Sequence, residues 1–335
     1  MKTLYIKAMV LVSLILGTVS CEKEIKYVGD YDGDKIVLYS CAMPGKPLTV
    51  RLFRSIFTFA DNKKVDPRLA GATVSLEVGG KTYGLTEVTS DPMYKGFYVS
   101  EYVPKAGDQL VLTAQYEGLG SVRSQTVVPD PANASVKSFY MKDGIPSDKG
   151  YSEYPELHFV LEFDDPADSH DLYLISLFRR FETYHYVKNK DTGEEELVYG
   201  MVNIDVQLRS SDVLFMNGGM DVLDLGGAPV KDVEVYRIDD GSFNGTKRSF
   251  DLFISLRTFI GDHGNEFVLD TSEYTFMVTK VNEDLGKYTT SAEAFFDSQR
   301  GLNKIFGEPV SVVCNVDGGI GCFGAMTVKA IPVSE

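Results

Sequence analysis

The 335-residue sequence has no tryptophan, only four cysteines and four histidines, and no cluster among its 33 lysines and arginines. Four cysteines in this length are too few for a disulfide scaffold. The histidines, at 158, 170, 185 and 263, lie in separate segments, and no H-E-x-x-H or C-x-x-C spacing gathers zinc ligands locally. With 48 acidic side chains and a formal charge of -15, the missing basic cluster argues against a nucleic-acid or anionic-membrane footprint. A G-x-S-x-G elbow is absent, and no cysteine has a helix start or a histidine neighbour to lower its pKa. Paired carboxylates of the glycosidase kind stay open, because their pairing would be spatial. Lack of tryptophan speaks against a dedicated sugar platform, although 19 tyrosines could stack on ligands. The balance of 44% hydrophobic and 24% charged residues is that of a folded chain, and a prior of ~150 residues per domain suggests about two domains.

The amino terminus sets the expected compartment. Lys2 and Lys7 precede an apolar stretch, Ala8 to Leu16, which gives way to Gly17-Thr18-Val19-Ser20 and ends at Cys21. That run is shorter than the ~18 residues that span a bilayer as a helix, and its flanks are those of a cleaved leader. Cys21 after a small residue resembles a lipobox, in which the thiol is diacylated and becomes the new amino terminus. The expectation is a signal peptide over residues 1–20, lipidation at Cys21 and an acidic tether over 21–34. The alternative is a plain secretory leader followed by an incidental cysteine. Acyl chains contribute ~0.8 kcal/mol per buried methylene, so two or three of them anchor a protein firmly.

The body reads as strands. Val74, Leu76 and Val78 alternate with Ser75 and Glu77, and Leu110, Leu112, Ala114 and Tyr116 with Val111, Thr113 and Gln115. About seven such segments, near Ile36, Val50, Val74, Thr82, Phe97, Leu110 and Val122, suggest an immunoglobulin-like β-sandwich over residues 35–128. The prolines of Val128-Pro129-Asp130-Pro131-Ala132 mark a boundary, and residues 133–335 form a larger β-rich domain. In that second part Leu157, Phe159, Leu161 and Phe163 alternate with His158, Val160 and Glu162, which places His158 on the opposite face. Asp191-Thr192-Gly193 reads as a hairpin tip. One helical segment is expected near residues 271–299: Asp270 and Glu273 have capping-box spacing, with Tyr274, Met277, Val278 and Val281 following at helical intervals. Two closing strands, Pro309 to Cys314 and Cys322 to Ile331, flank a glycine-rich turn.

The order of motifs resembles a known family. Ile36-Val37-Leu38, Pro44-Gly45-Lys46-Pro47-Leu48-Thr49-Val50 and Leu69-Ala70-Gly71-Ala72-Thr73-Val74 are followed by Asp239-Asp240-Gly241-Ser242-Phe243-Asn244-Gly245 and Ser272-Glu273-Tyr274. Phe306-Gly307-Glu308-Pro309-Val310 and Asn315-Val316-Asp317-Gly318-Gly319-Ile320-Gly321-Cys322-Phe323-Gly324 close the series. Together they resemble the Bacteroidetes lipoprotein family called domain of unknown function 4249. Cys322 stands where that family tends to have an aliphatic residue. The resemblance implies an outer-membrane lipoprotein, commonly encoded beside a TonB-dependent receptor and suspected of aiding nutrient uptake, with no catalytic residues to carry over. Glu22-Lys23-Glu24 after Cys21 is similar to the surface-export signal of such lipoproteins.

Candidate sites are few, and no cofactor is implied. Asp30, Asp32 and Asp34 begin like a calcium loop, but Lys35 and Cys41 stand where glycine and glutamate belong. Asp164, Asp165, Asp168 and Asp171 crowd one loop with His170; it is either a hard-oxygen cation site or a charged surface turn. Tyr184 and Tyr186 share a strand face and form an aromatic contact patch or pack on the neighbouring strand. A three-residue loop at Asp317-Gly318-Gly319 would set Cys314 across from Cys322, a disulfide available to an exported protein but strained at directly opposed positions.

Three function classes remain. The first is a non-enzymatic accessory, bound to outer-membrane lipid through Cys21 and partnering a TonB-dependent nutrient transporter at the cell surface. The second is a fimbrial or adhesin subunit of two β-sandwich domains, for which a groove lacking one strand would speak. The third is a surface hydrolase.

Overall fold

The computed structural model describes residues 33–56, 66–143, 155–167, 169–188, 193–212, 235–255, 272–299 and 310–334, without the side chains of 183–187 and 195–199. The leader, Cys21 and Asp168 lie outside them. Chain contacts gather Lys35–Ser55 and Asp66–Glu335 into one compact unit; the other unit, Met1–Asp34 with Ile56–Val65, falls almost wholly outside the described residues. Among the described residues no helix is long and apolar enough to cross a membrane.

Period-two patterning becomes strands where it was expected. In the first part these are β1 (Ile36–Ala42), β2 (Thr49–Arg54), β3 (Thr73–Val78), β4 (Lys81–Gly84), β5 (Thr86–Glu87), β6 (Phe97–Val99), β7 (Gln109–Tyr116) and β8 (Gly120–Val127). Ile36, Leu38, Val50 and Leu52 from one sheet meet Val74, Leu76, Leu110, Leu112 and Val122 from the other in a single core. Each such side chain contributes roughly 1.5–3 kcal/mol when fully buried.

The second part adds β9 (Ala134–Lys142), β10 (Glu156–Asp164), β11 (Leu172–Lys188), β12 (Glu195–Val206), β13 (Arg209–Ser210), β14 (Tyr236–Asp239), β15 (Lys247–Ser255), β16 (Glu273–Val281), β17 (Val316–Asp317) and β18 (Ile320–Val333). Its core is aromatic: Phe159 and Phe163 of β10, Tyr173 of β11, Phe250 of β15 and Phe276 of β16 are at most 1% exposed. Strands β11 and β12 pair antiparallel from Leu177↔Val206 to Lys188↔Glu195, while Asp191 and Thr192 of the expected hairpin tip lie outside the described residues. The fold is thus mainly β, a sandwich followed by a larger β-rich part carrying one helix.

Three sheets account for the strands: β13-β15-β10-β9, β17-β8-β7-β3-β4, and a nine-stranded sheet ordered β12-β11-β16-β18-β1-β2-β6-β5, with β14 also on β11. The long sheet is continuous because β18 serves both parts. Its first half runs parallel to β1, from Val37↔Ile320 to Ala42↔Ala325; its second half runs antiparallel to β16, from Val281↔Met326 to Tyr274↔Val333. Phe323 and Ala325 therefore belong to the first core and Ile331 to the second. Val128 and Ala132, either side of the proline-marked connection, divide between the same two cores. Gly321 permits the close pairing with β1: its φ is +119°, and a Cβ there would lie 2.0 Å from the Leu38 carbonyl oxygen.

Helix α1 (Glu283–Ser298) starts later than its expected beginning. Residues 273–281, read as its first turns, are strand β16, in which Tyr274, Phe276, Val278 and Lys280 are buried in alternation. The cap is Asn282, whose side chain accepts from the Leu285 N–H, with Glu283 and Asp284 beside the positive end of the helix.

The closing hairpin is also corrected. Residues 311–315 form no strand, and β17 pairs with β8, through Val316↔Ser124 and Asp317↔Arg123, rather than with β18. The register that would oppose Cys314 and Cys322 is absent, and both are free thiols, Cys314 exposed and Cys322 buried on β18. Tyr184 and Tyr186 lie on β11, but their side chains are outside the described residues.

Candidate functional site

Two connections meet where the sandwich joins the β-rich part. One, from Asp165 to Asp171, joins β10 to β11; the other, from Asp240 to Thr246, joins β14 to β15. Each carries buried carboxylates to the same point. Asp165, Asp171 and Asp240 are 5%, 6% and 0% exposed, and one ligating oxygen from each lies within 4.8 Å of the others.

Backbone amides and hydroxyls build this cluster. The Asp171 N–H donates to Asp240 Oδ2 at 2.7 Å, while the Asp240 N–H donates to the Asp171 carbonyl at 3.1 Å, so the two connections clasp each other. Asp165 accepts from the Tyr173 hydroxyl at 2.6 Å and from the Gly245 N–H at 3.2 Å. Gly245 is required there: φ is +72°, and a Cβ would meet that of Ala167 at 2.6 Å. Asp171 accepts from Ser169 Oγ at 2.7 Å and pairs with Lys280 Nζ, itself 7% exposed, at 2.5 Å.

One lysine against three carboxylates leaves the cluster electronegative, and the titrations reflect it. Burial pushes the Asp240 carboxyl above the ordinary range, opposed by the Asp171 amide and reinforced by the Asp165 charge. Burial, the hydrogen bond to Asp165 and the Asp171 charge push the Tyr173 phenol far up, so it remains a donor. His170 Nδ1, on an exposed ring, faces Asp240 Oδ1 at 3.5 Å, and Asn244 donates from Nδ2 to the Ser169 carbonyl at 3.0 Å.

Beside the cluster opens a cleft of about 1000 Å³, lined in part by Pro129, Asp130, Asp165, His170, Asn244 and Asn282. Junctions of this kind are where small-molecule sites concentrate. Chemically, the cluster supplies hard oxygen atoms of the type that hold divalent cations.

Of the four aspartates singled out in the sequence, the structure brings together Asp165 and Asp171. Asp164 turns outward to Lys247 Nζ at 3.6 Å, and Asp168 is outside the described residues. Asp240 escapes the sequence reading as a site residue; its only signal is the Asp239-Asp240-Gly241 turn, some seventy residues from its partners. The sequence profile of a family described as a domain of unknown function (DUF4249) matches residues 22–331. No curated protein matches the chain.

Proposed function

The chain belongs to the DUF4249 family, and on that premise we propose that it is a lipid-anchored outer-membrane accessory protein, a non-enzymatic ligand- or receptor-binding partner of a TonB-dependent nutrient transporter at the cell surface. The observation that carries this reading is the order of parts: a short apolar leader, Cys21 after a small residue, an acidic segment, and then the β body from Ile36 onward. Acylation at Cys21 would hold that body at a fixed reach from the membrane and raise its effective concentration at a membrane-embedded partner. The cleft beside the acidic cluster is the place offered for a ligand.

The fimbrial alternative needs a sandwich open to a strand from another subunit. Here the strand beside β1 comes from the same chain, as β18, which weighs toward the accessory reading.

Radiolabelled palmitate is expected to enter the wild-type protein and not Cys21→Ala, and affinity purification from native outer membranes is expected to recover a TonB-dependent barrel. Equal labelling of the two proteins would overturn the anchor; a ladder of polymers without a barrel would replace the accessory role with the fimbrial one.

A further inference from the structure

On the face of the nine-stranded sheet turned away from the first core, β1, β2 and β6 set three side chains in a row. Tyr39 of β1 lies opposite Arg51 of β2, and Arg51 opposite Phe97 of β6. Their strand neighbours Leu38, Val50, Leu52 and Tyr98 are buried in that core, so alternation sends the row outward. Tyr39 is 36% exposed, and Arg51 is exposed as well.

The neighbours of the row hold it in place. The Arg51 guanidinium lies over the Phe97 ring, 4.5 Å from its centroid; such stacking fixes the planar group and leaves its N–H edge for a second partner. Tyr94 meets Phe97 edge-on at 5.3 Å, and Tyr39 leans on Phe53 at 6.3 Å. The turn Pro92–Tyr94 carries Met93, 71% exposed, to the rim. The Leu52 N–H donates to the Gly96 carbonyl at 2.9 Å, which fastens that turn to β2.

Charge singles out Arg51. Around the turn, Arg68 and Lys95 share the Asp66 carboxylate at 2.9 and 3.0 Å, and Asp91 accepts from the Met93 N–H at 2.8 Å. Arg51 has no carboxylate partner among the described residues, in a chain with 48 acidic side chains against 33 basic ones. An accessible arginine among tyrosine, phenylalanine and methionine has the composition of an interface centre, where tyrosine and arginine carry much of the binding energy.

We propose that this row is a docking surface for an acidic segment of a partner protein. An aspartate or glutamate of that segment takes the free edge of Arg51 in a bidentate pair, and Tyr39, Tyr94 and Met93 cover its apolar flanks. A short segment suits the electrostatics better than an anionic bilayer does. Charges beyond about 8 Å are screened at physiological salt, so a segment meets the field of Arg51, whereas a bilayer faces a broad area of a chain whose charge is -15. The surface shares no residue with the acidic cleft and does not depend on the role proposed above.

The test replaces Met93 by a photo-crosslinking amino acid in the full chain, irradiated in the cells that make it. The crosslinked segment of the partner, identified by peptide mass spectrometry, is expected to carry an aspartate or glutamate. As a synthetic peptide it should bind the purified protein. Arg51→Gln, which keeps a stem over Phe97 and removes the charge, should weaken that binding by about tenfold or more. Changing the peptide carboxylate to its amide should weaken binding to the wild type as much, and to Arg51→Gln little further. Should Arg51→Gln fail to fold, the carboxylate and amide peptides on the wild type, at low and high salt, carry the comparison. Crosslinks to lipid, to a second copy of this chain or to a segment without a carboxylate, the absence of any crosslink, or an affinity indifferent to Arg51 and to the peptide's charge would overturn the proposal.

Discussion

Asn282 holds Ala325 by both of its backbone groups. The Ala325 N–H donates to Asn282 Oδ1 at 2.9 Å, and the Asn282 N–H donates to the Ala325 carbonyl at 3.0 Å. Ala325 is where β18 passes from β1 to β16, and the Asn282 amide nitrogen reaches back to Thr126 Oγ1 of β8 at 2.7 Å. Helix cap, shared strand and first sandwich thus meet in one side chain. Asn282→Ala removes a cap, worth about 1 kcal/mol, and leaves the Ala325 amide without its acceptor, at about 1–3 kcal/mol. Urea unfolding should show a loss of about 2–4 kcal/mol, and Asn282→Asp, which keeps the acceptor, a smaller one.

Lys280 compensates the carboxylate cluster. Lys280→Met leaves Asp171 buried without its cation, a change of the kind that costs about 3–5 kcal/mol. Adding Asp171→Asn should restore part of that loss, so a double-mutant cycle at pH 7 should give a coupling of more than about 1 kcal/mol. Additive effects would mean that the 2.5 Å pair contributes little in solution.

Asp240 sets a pH dependence with a definite sign. Its native pKa lies above the unfolded value, chiefly through burial, so between those values the native state binds more protons than the unfolded one. Stability contributed by this group therefore rises as pH falls through that window. Relative to Asp240→Asn, the wild type should gain stability as pH is lowered from 7 toward the ordinary carboxylate range. A gap that widens instead would contradict the buried geometry.

The thiols should divide by access. Burial pushes Cys41 up to about 11 and Cys322 up to about 12, so both remain protonated and slow at pH 8. Cys314 is exposed. Brief alkylation of the native protein at pH 8, read by peptide mass spectrometry, should label Cys314 well before Cys41 and Cys322, which should react only on unfolding.

The first sandwich was legible because its strands bury one face, which makes alternation explicit at Val74 to Val78 and Leu110 to Tyr116. β16 was not. It is a central strand partly covered on both faces, and Tyr274, Met277, Val278 and Val281 satisfy a helical spacing by coincidence. The register expected for the closing hairpin was not legible, because β17 pairs with β8, a choice made by a distant sheet. In the cluster, Asp165 and Asp171 could be suspected from their local crowding, whereas Asp240 arrives through the pairing of β14 with β11, which no local spacing announces. The outward side of His158 was readable, as was Glu156 two positions earlier on the same strand; the approach of Asp251 to its ring depended on the register of β15.

The sharing of β18 also has a consequence for the order of assembly. β1 cannot acquire its parallel neighbour until residues 320–325 are available, nearly three hundred positions later, so the earliest-synthesised sandwich is among the last parts to close. Contacts of such span slow folding. The delay leaves the leading half unfinished while the rest of the polypeptide is still being made.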